Sequence, residues 1–118
     1  MAKKRISKKI TKMVLDYTKR LSKKELISIE KVFIFGSVAK GKNTRKSDVD
    51  VCIISPFFNN RVEAIQFLLK KRNKAEVISG LEPIGFSPKA FLESSSLIEE
   101  IKNTGIQVKK VSGTFLLS

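Results

Sequence analysis

Ile6, Ile10, Met13, Val14, Tyr17 and Leu21 recur at helical spacing, which predicts an amphipathic helix over the first ~20 residues with a lysine-rich opposite face. Ser22 with Glu25 has the spacing of a capping box and predicts a short second turn carrying Leu26, Ile27 and Ile29 toward the core. Val32-Phe33-Ile34-Phe35 breaks that rhythm. It is β-branched and aromatic, apolar on both faces, and stopped by Gly36-Ser37, as expected of a buried central strand. A helical turn over 37–41 and a polar loop over 41–47 follow, after which Val49-Asp50-Val51-Cys52-Ile53-Ile54 resumes the strand pattern and Pro56 ends it.

From a cap at Asn59 or Asn60, the stripe Val62, Ile65, Leu68 and Leu69 predicts a helix that decays into Lys70-Lys71-Arg72-Asn73-Lys74. Ala75 to Phe86, interrupted by Gly80 and Pro83, reads as one bent or edge strand or as two short ones. Ser87-Pro88 is a cap followed by proline at the first helical position. Ser96 with Glu99 opens a last helix through Leu97, Ile98 and Ile101, Gly105 closes it, and Ile106 to Val111 adds a short edge strand. These elements predict one α/β (α+β) domain over residues 1–118: a small mixed sheet with flanking helices, packed mainly against one face.

The 118 residues suffice for one core without disulfides, and no apolar run exceeds four residues, so no transmembrane helix is expected. The basic start Met1 to Arg5 leads into alternating lysines rather than the apolar stretch of a secretory signal, which points to a cytoplasmic protein. Cys52 is the single cysteine and there is no histidine, excluding an intrachain disulfide, thiolate zinc clusters and Ser/His or Cys/His catalysis within the chain. A metal here would be held by oxygen. The 24 Lys and Arg outnumber 11 acids for a formal charge of +13, so each acid is informative. The clusters Lys3-Lys4-Arg5, Lys8-Lys9, Lys23-Lys24 and Lys70-Lys71-Arg72 leave RNA or another polyanion as a partner, although no aromatic residue interleaves them.

Two acids survive together at Asp48-Val49-Asp50, separated from Gly36-Ser37 by ten intervening residues. On a strand they share a face about 7 Å apart, and such like charges are stabilised by a hard cation such as Mg²⁺ or Mn²⁺ bridging a triphosphate. Gly36 admits backbone close to phosphate, Ser37 offers a hydroxyl, and Lys40 and Lys42 add charge. An Asx-type turn leading into a strand is the plainer account of the same residues. Ser47 either orients the pair or is an ordinary turn serine, and Cys52 reads as a small buried hydrophobe. Phe57-Phe58, at a strand end near this site, either pack under the loop or stack on a base or partner.

Gly36-Ser37-Val38-Ala39-Lys40-Gly41 followed by Ser47-Asp48-Val49-Asp50-Val51 closely resembles the signature of the minimal nucleotidyltransferase (MNT) domains of the DNA polymerase β-like superfamily, Gly-Ser-x-Ala-Arg-Gly…Ser-Asp-x-Asp-Leu. The resemblance implies the nucleotidyltransferase fold. It further implies two divalent metals held by Asp48, Asp50 and a third acid, one activating the attacking hydroxyl and one drawing on the triphosphate. The third acid falls on Glu82, six residues ahead of Pro88, with Glu76 as the competing choice. Gly36, Ser37, Lys40 and Ser47 are the implied nucleotide-binding residues; Lys40 stands where the family usually has Arg, keeping charge but losing bidentate geometry.

The reaction so implied is transfer of a nucleoside monophosphate, most simply AMP from ATP, to a hydroxyl acceptor. Domains of this size resemble the MNT half of HEPN/MNT toxin-antitoxin pairs, in which a helical HEPN ribonuclease is neutralised by its partner. A non-catalytic MNT-fold module acting by contact alone is the alternative, and self-association is left open.

Overall fold

The computed structural model describes residues 6–42, 48–111 and 114–117. Helix α1 spans Lys8–Lys23, opened by Ser7, whose hydroxyl accepts from the Ile10 N–H at 3.1 Å. Its buried residues Val14, Tyr17, Thr18 and Leu21 follow the expected spacing, while Lys8, Lys9, Lys12, Lys19 and Lys23 stay exposed. The helix runs through Ser22, so no second turn starts there. The chain instead reverses at Leu26, which takes a φ of 56° and is 83% exposed, contrary to the core position expected of it. Ile27 and Ile29 are buried as expected.

Strand β1 (Lys31–Phe35) passes directly into the single turn α2 (Gly36–Ala39), and β2 (Val49–Ile54) returns antiparallel beside β1. Helix α3 (Arg61–Lys70) is capped by Asn60, whose side chain accepts from the Glu63 N–H. Ala64 and Leu68 form its buried line, and Val62, expected in the stripe, is 65% exposed. The first half of the region read as strand is helical: α4 covers Lys74–Ile78, initiated by a capping box between Asn73 and Glu76. Only β3 (Leu81–Phe86) is strand, and it pairs parallel with β2, the α3–α4 crossover supplying the connection that a parallel pair requires.

Helix α5 (Pro88–Phe91) begins at Ser87 with proline in its first turn, as its sequence predicts. Helix α6 (Ser96–Thr104) is capped by Ser95, one residue before the expected Ser96. Strand β4 (Ile106–Val111) pairs with β1, and β5 (Thr114–Leu117) pairs with β4, giving the order β3-β2-β1-β4-β5. Thus β4 is interior rather than the edge strand expected of it. Pro83 sits in the terminal strand β3, where a missing ladder donor is tolerated.

The apolar runs of β1 and β2 follow from burial on both faces. Val32, Ile34, Val49, Val51, Ile53 and Leu81 pack with residues of α1 and α3. Phe35, Cys52, Ile54 and Phe86 pack with Phe91 of α5 and with Ile98 and Ile101 of α6, so the helices cover both faces of the sheet rather than mainly one. No helix among the described residues is long and apolar enough to cross a membrane.

Candidate active site

Antiparallel pairing sets Phe35, the last residue of β1, opposite Asp50 near the start of β2. The chain then enters α2 through Gly36 at a φ of 73°, a left-handed conformation that glycine adopts without penalty. A Cβ on Gly36 would fall on Oδ2 of Asp50 and stand 3.2 Å from its Cγ, so the carboxylate packs directly on bare main chain. Parallel pairing aligns Glu82 with Asp50, and direct register partners on adjacent strands share a face. That face is the one α6 covers: Cys52 and Ile54, the next same-side residues of β2, belong to the apolar cluster that includes Ile98 and Ile101. Asp48, exposed, lies two residues before Asp50.

Asp50 is consequently a perturbed acid. Burial first, then the charges of Asp48, Glu82 and Glu100, push its carboxyl up from 3.8 to about 6. Two cations border the group. Lys40 Nζ lies 3.4 Å from Glu100 Oε2, and Arg72 Nη1 lies 3.8 Å from Glu82 Oε2. Arg72 is fixed by donating from Nε to the Leu69 carbonyl at 3.1 Å and from Nη1 to the Leu81 carbonyl at 3.0 Å. The carboxylates on this face are hard oxygen donors whose mutual repulsion a divalent cation would relieve, so the residues fit Mg²⁺ or Mn²⁺ in charge and donor type. Among the described residues no three acidic, cysteine or histidine side chains converge as a ready metal cage.

Asp48 and Glu82 stand near enough for their charges to act on Asp50, with Gly36 beneath Asp50 and with Ser37 and Lys40 on and after α2. The turn lies at 36–39 rather than 37–41, and as a helical start it leaves first-turn N–H groups without intrahelical partners. Ser47 lies outside the described residues. Glu76 is removed from the group: it is buried in α4, held by Arg20 through Nη2 at 2.6 Å and Nη1 at 3.1 Å, and also accepts from the Asn73 N–H. Cys52 is a buried thiol pushed up to about 12 by burial.

Phe57 and Phe58 follow the far end of β2, about 13 Å along the strand from Asp50, and so do not border the acids as expected. Phe58 is core, whereas Phe57 is 54% exposed; both line an open cleft of about 390 Å³ with Glu63, Phe67 and Lys70. Sequence reasoning missed Glu100 and Arg72. Glu100 flanks the apolar stripe of the last helix, a visible signal, but only the packing of α6 beside α2 gives it Lys40 as a partner.

A family model described as a nucleotidyltransferase domain matches residues 12–108. Among solved structures, a Sulfolobus solfataricus protein assigned as a nucleotidyltransferase superimposes with a TM-score of 0.65 at 16% identity, covering 93% of this chain and 88% of that one. A toxin-antitoxin structure with AMP-PNP superimposes with a TM-score of 0.53, also at 16% identity, covering 78% of this chain and 69% of that one. At such identity the two likenesses are of fold. No curated protein matches the sequence.

Proposed function

The chain belongs to the nucleotidyltransferase domain family, and from that premise we propose that it transfers a nucleoside monophosphate, AMP from ATP, to a hydroxyl on a partner protein. The observation that carries this reading is the seating of the Asp50 carboxylate on Gly36, with Glu82 in register beside it. Asp48 and Asp50 would hold Mg²⁺ or Mn²⁺, which when bound neutralises charge on the triphosphate. The first-turn N–H groups of α2, the Ser37 hydroxyl and the Lys40 ammonium bind phosphate oxygens. Glu82 accepts the proton of the attacking hydroxyl as its oxygen bonds to the α-phosphorus and the bond to pyrophosphate breaks.

The partner we infer is a helical HEPN-type toxin, with this chain as the antitoxin; the toxin-antitoxin neighbour with AMP-PNP supports that choice. A contact-only antitoxin is the second reading, favoured by the absence of a three-acid cage among the described residues. Titration of ATP into the protein with Mg²⁺ and then with EDTA, repeated for Asp48→Asn/Asp50→Asn, tests the site. Magnesium-dependent binding that the double variant loses is expected. Transfer of label from ATP to the copurified partner then separates the readings: an unlabelled partner of unchanged mass, still neutralised, overturns catalysis and leaves contact alone.

A further inference from the structure

Lys40 follows the last residue of α2 and is pinned there, its N–H donating to the Gly36 carbonyl at 3.1 Å. Its ammonium meets Glu100 across the gap between α2 and α6. On α6, Leu97, Ile98 and Ile101 form the sheetward stripe, with Ile98 and Ile101 buried. At about 100° per residue Glu100 flanks that stripe some 60° from Leu97, whereas Glu99 points roughly opposite. Their exposures agree, Glu99 being exposed and Glu100 half-buried. Glu100 is also among the charges that act on Asp50. The carboxylate is therefore both partner to a cation that follows the Gly36-Ser37 turn and neighbour to the acids.

We propose that Glu100 is a positioning residue that steers the Lys40 ammonium at the lip of the site and competes for it with the oxygens of a bound triphosphate. The inference rests on the nucleotidyltransferase reading above. Side-chain exposures of 35% for Lys40 and 38% for Glu100 make the pair easy to exchange, because solvent screens it. Phosphate oxygens carry more charge than a single carboxylate and accept stronger charge-assisted hydrogen bonds, so a triphosphate draws the ammonium away. Glu100 thereby sets how much of the Lys40 charge nucleotide receives.

The test is a double-mutant cycle read by titration of ATP with Mg²⁺ into wild type, Glu100→Gln, Lys40→Gln and the double variant. Glu99→Gln serves as a control of equal net charge, and melting curves check that each variant is folded. Glu100→Gln is expected to tighten binding about two- to fivefold, Lys40→Gln to weaken it, and Glu99→Gln to leave it unchanged. In the Lys40→Gln background the gain from Glu100→Gln should vanish. An equal gain in both backgrounds means that Glu100 acts only through its own repulsion and overturns the proposal, as does unchanged or weaker binding by Glu100→Gln. Those outcomes leave the nucleotidyltransferase reading standing, whereas wild type that binds no ATP overturns both.

Discussion

The carboxylate of Asp50 occupies the space in which any side chain on Gly36 would begin. Gly41 provides the comparison, since its φ of 71° is nearly the same but a Cβ there would meet nothing within 4 Å. Gly41→Ala should therefore cost only the left-handed backbone penalty, about 1 kcal/mol. Gly36→Ala should cost at least about 2 kcal/mol in urea denaturation, because strain and collision combine. It should also displace Asp50 and abolish magnesium-dependent ATP binding, which Gly41→Ala keeps; two variants with matching losses would deny the close packing its role.

Asp50 makes the protein's stability depend on pH in an unusual direction. Its carboxyl is raised from 3.8 to about 6, so the folded chain holds that proton more tightly than the unfolded chain. The stabilisation is fully present below about pH 4 and is lost as pH rises through about 6. At pH 7.5 Asp50→Asn should thus be more stable than wild type, by about 1 kcal/mol after discounting for partial exposure and by roughly 3–5 °C in Tm. The advantage should disappear toward pH 4. Melting curves from pH 4 to 8 without divalent cations check this, and an advantage independent of pH would point to a cause other than the charge.

The parts of the fold that the sequence displays are those whose signal is local. β1 and β2 are legible because burial on two faces leaves unbroken apolar runs, and of the two acids expected on one strand face Asp50 lies in β2 while Asp48 directly precedes it. Capping patterns are ambiguous alone: Ser22 with Glu25 and Asn73 with Glu76 look alike, yet only the second starts a helix. There, Glu76 gains Arg20 from a distant segment. Glu100 escapes notice for the same reason, since its meaning comes from Lys40 on another element. The second helical layer escapes the expectation of helices mainly on one face because the helices that cover it, α5 and α6, are short, although Phe33 and Phe35 alternate with Val32 and Ile34 to supply both faces of β1.

Glu76 should prove structural. It is 2% exposed, accepts two hydrogen bonds from Arg20, and holds the Asn73 N–H at the start of α4. Glu76→Gln leaves the guanidinium without its countercharge and should destabilise by about 3 kcal/mol in urea denaturation. In the folded fraction, affinity for ATP with Mg²⁺ should stay within about twofold of wild type, because nothing in this network borders Asp50. A selective loss of nucleotide binding with stability intact would return Glu76 to the site.

Glu82 should show the opposite profile. Its side chain is 47% exposed, and its contact with Arg72 is long at 3.8 Å, so Glu82→Gln should change stability by no more than about 0.5 kcal/mol. Arg72 keeps its place regardless, through the Leu69 and Leu81 carbonyls. In the proposed roles Asp48 and Asp50 would still hold Mg²⁺ with ATP, so affinity should fall only a few-fold. Removal of the proton acceptor, by contrast, should slow transfer of label to the partner by about 100-fold or more. A variant that transfers at the wild-type rate would remove Glu82 as the proton acceptor.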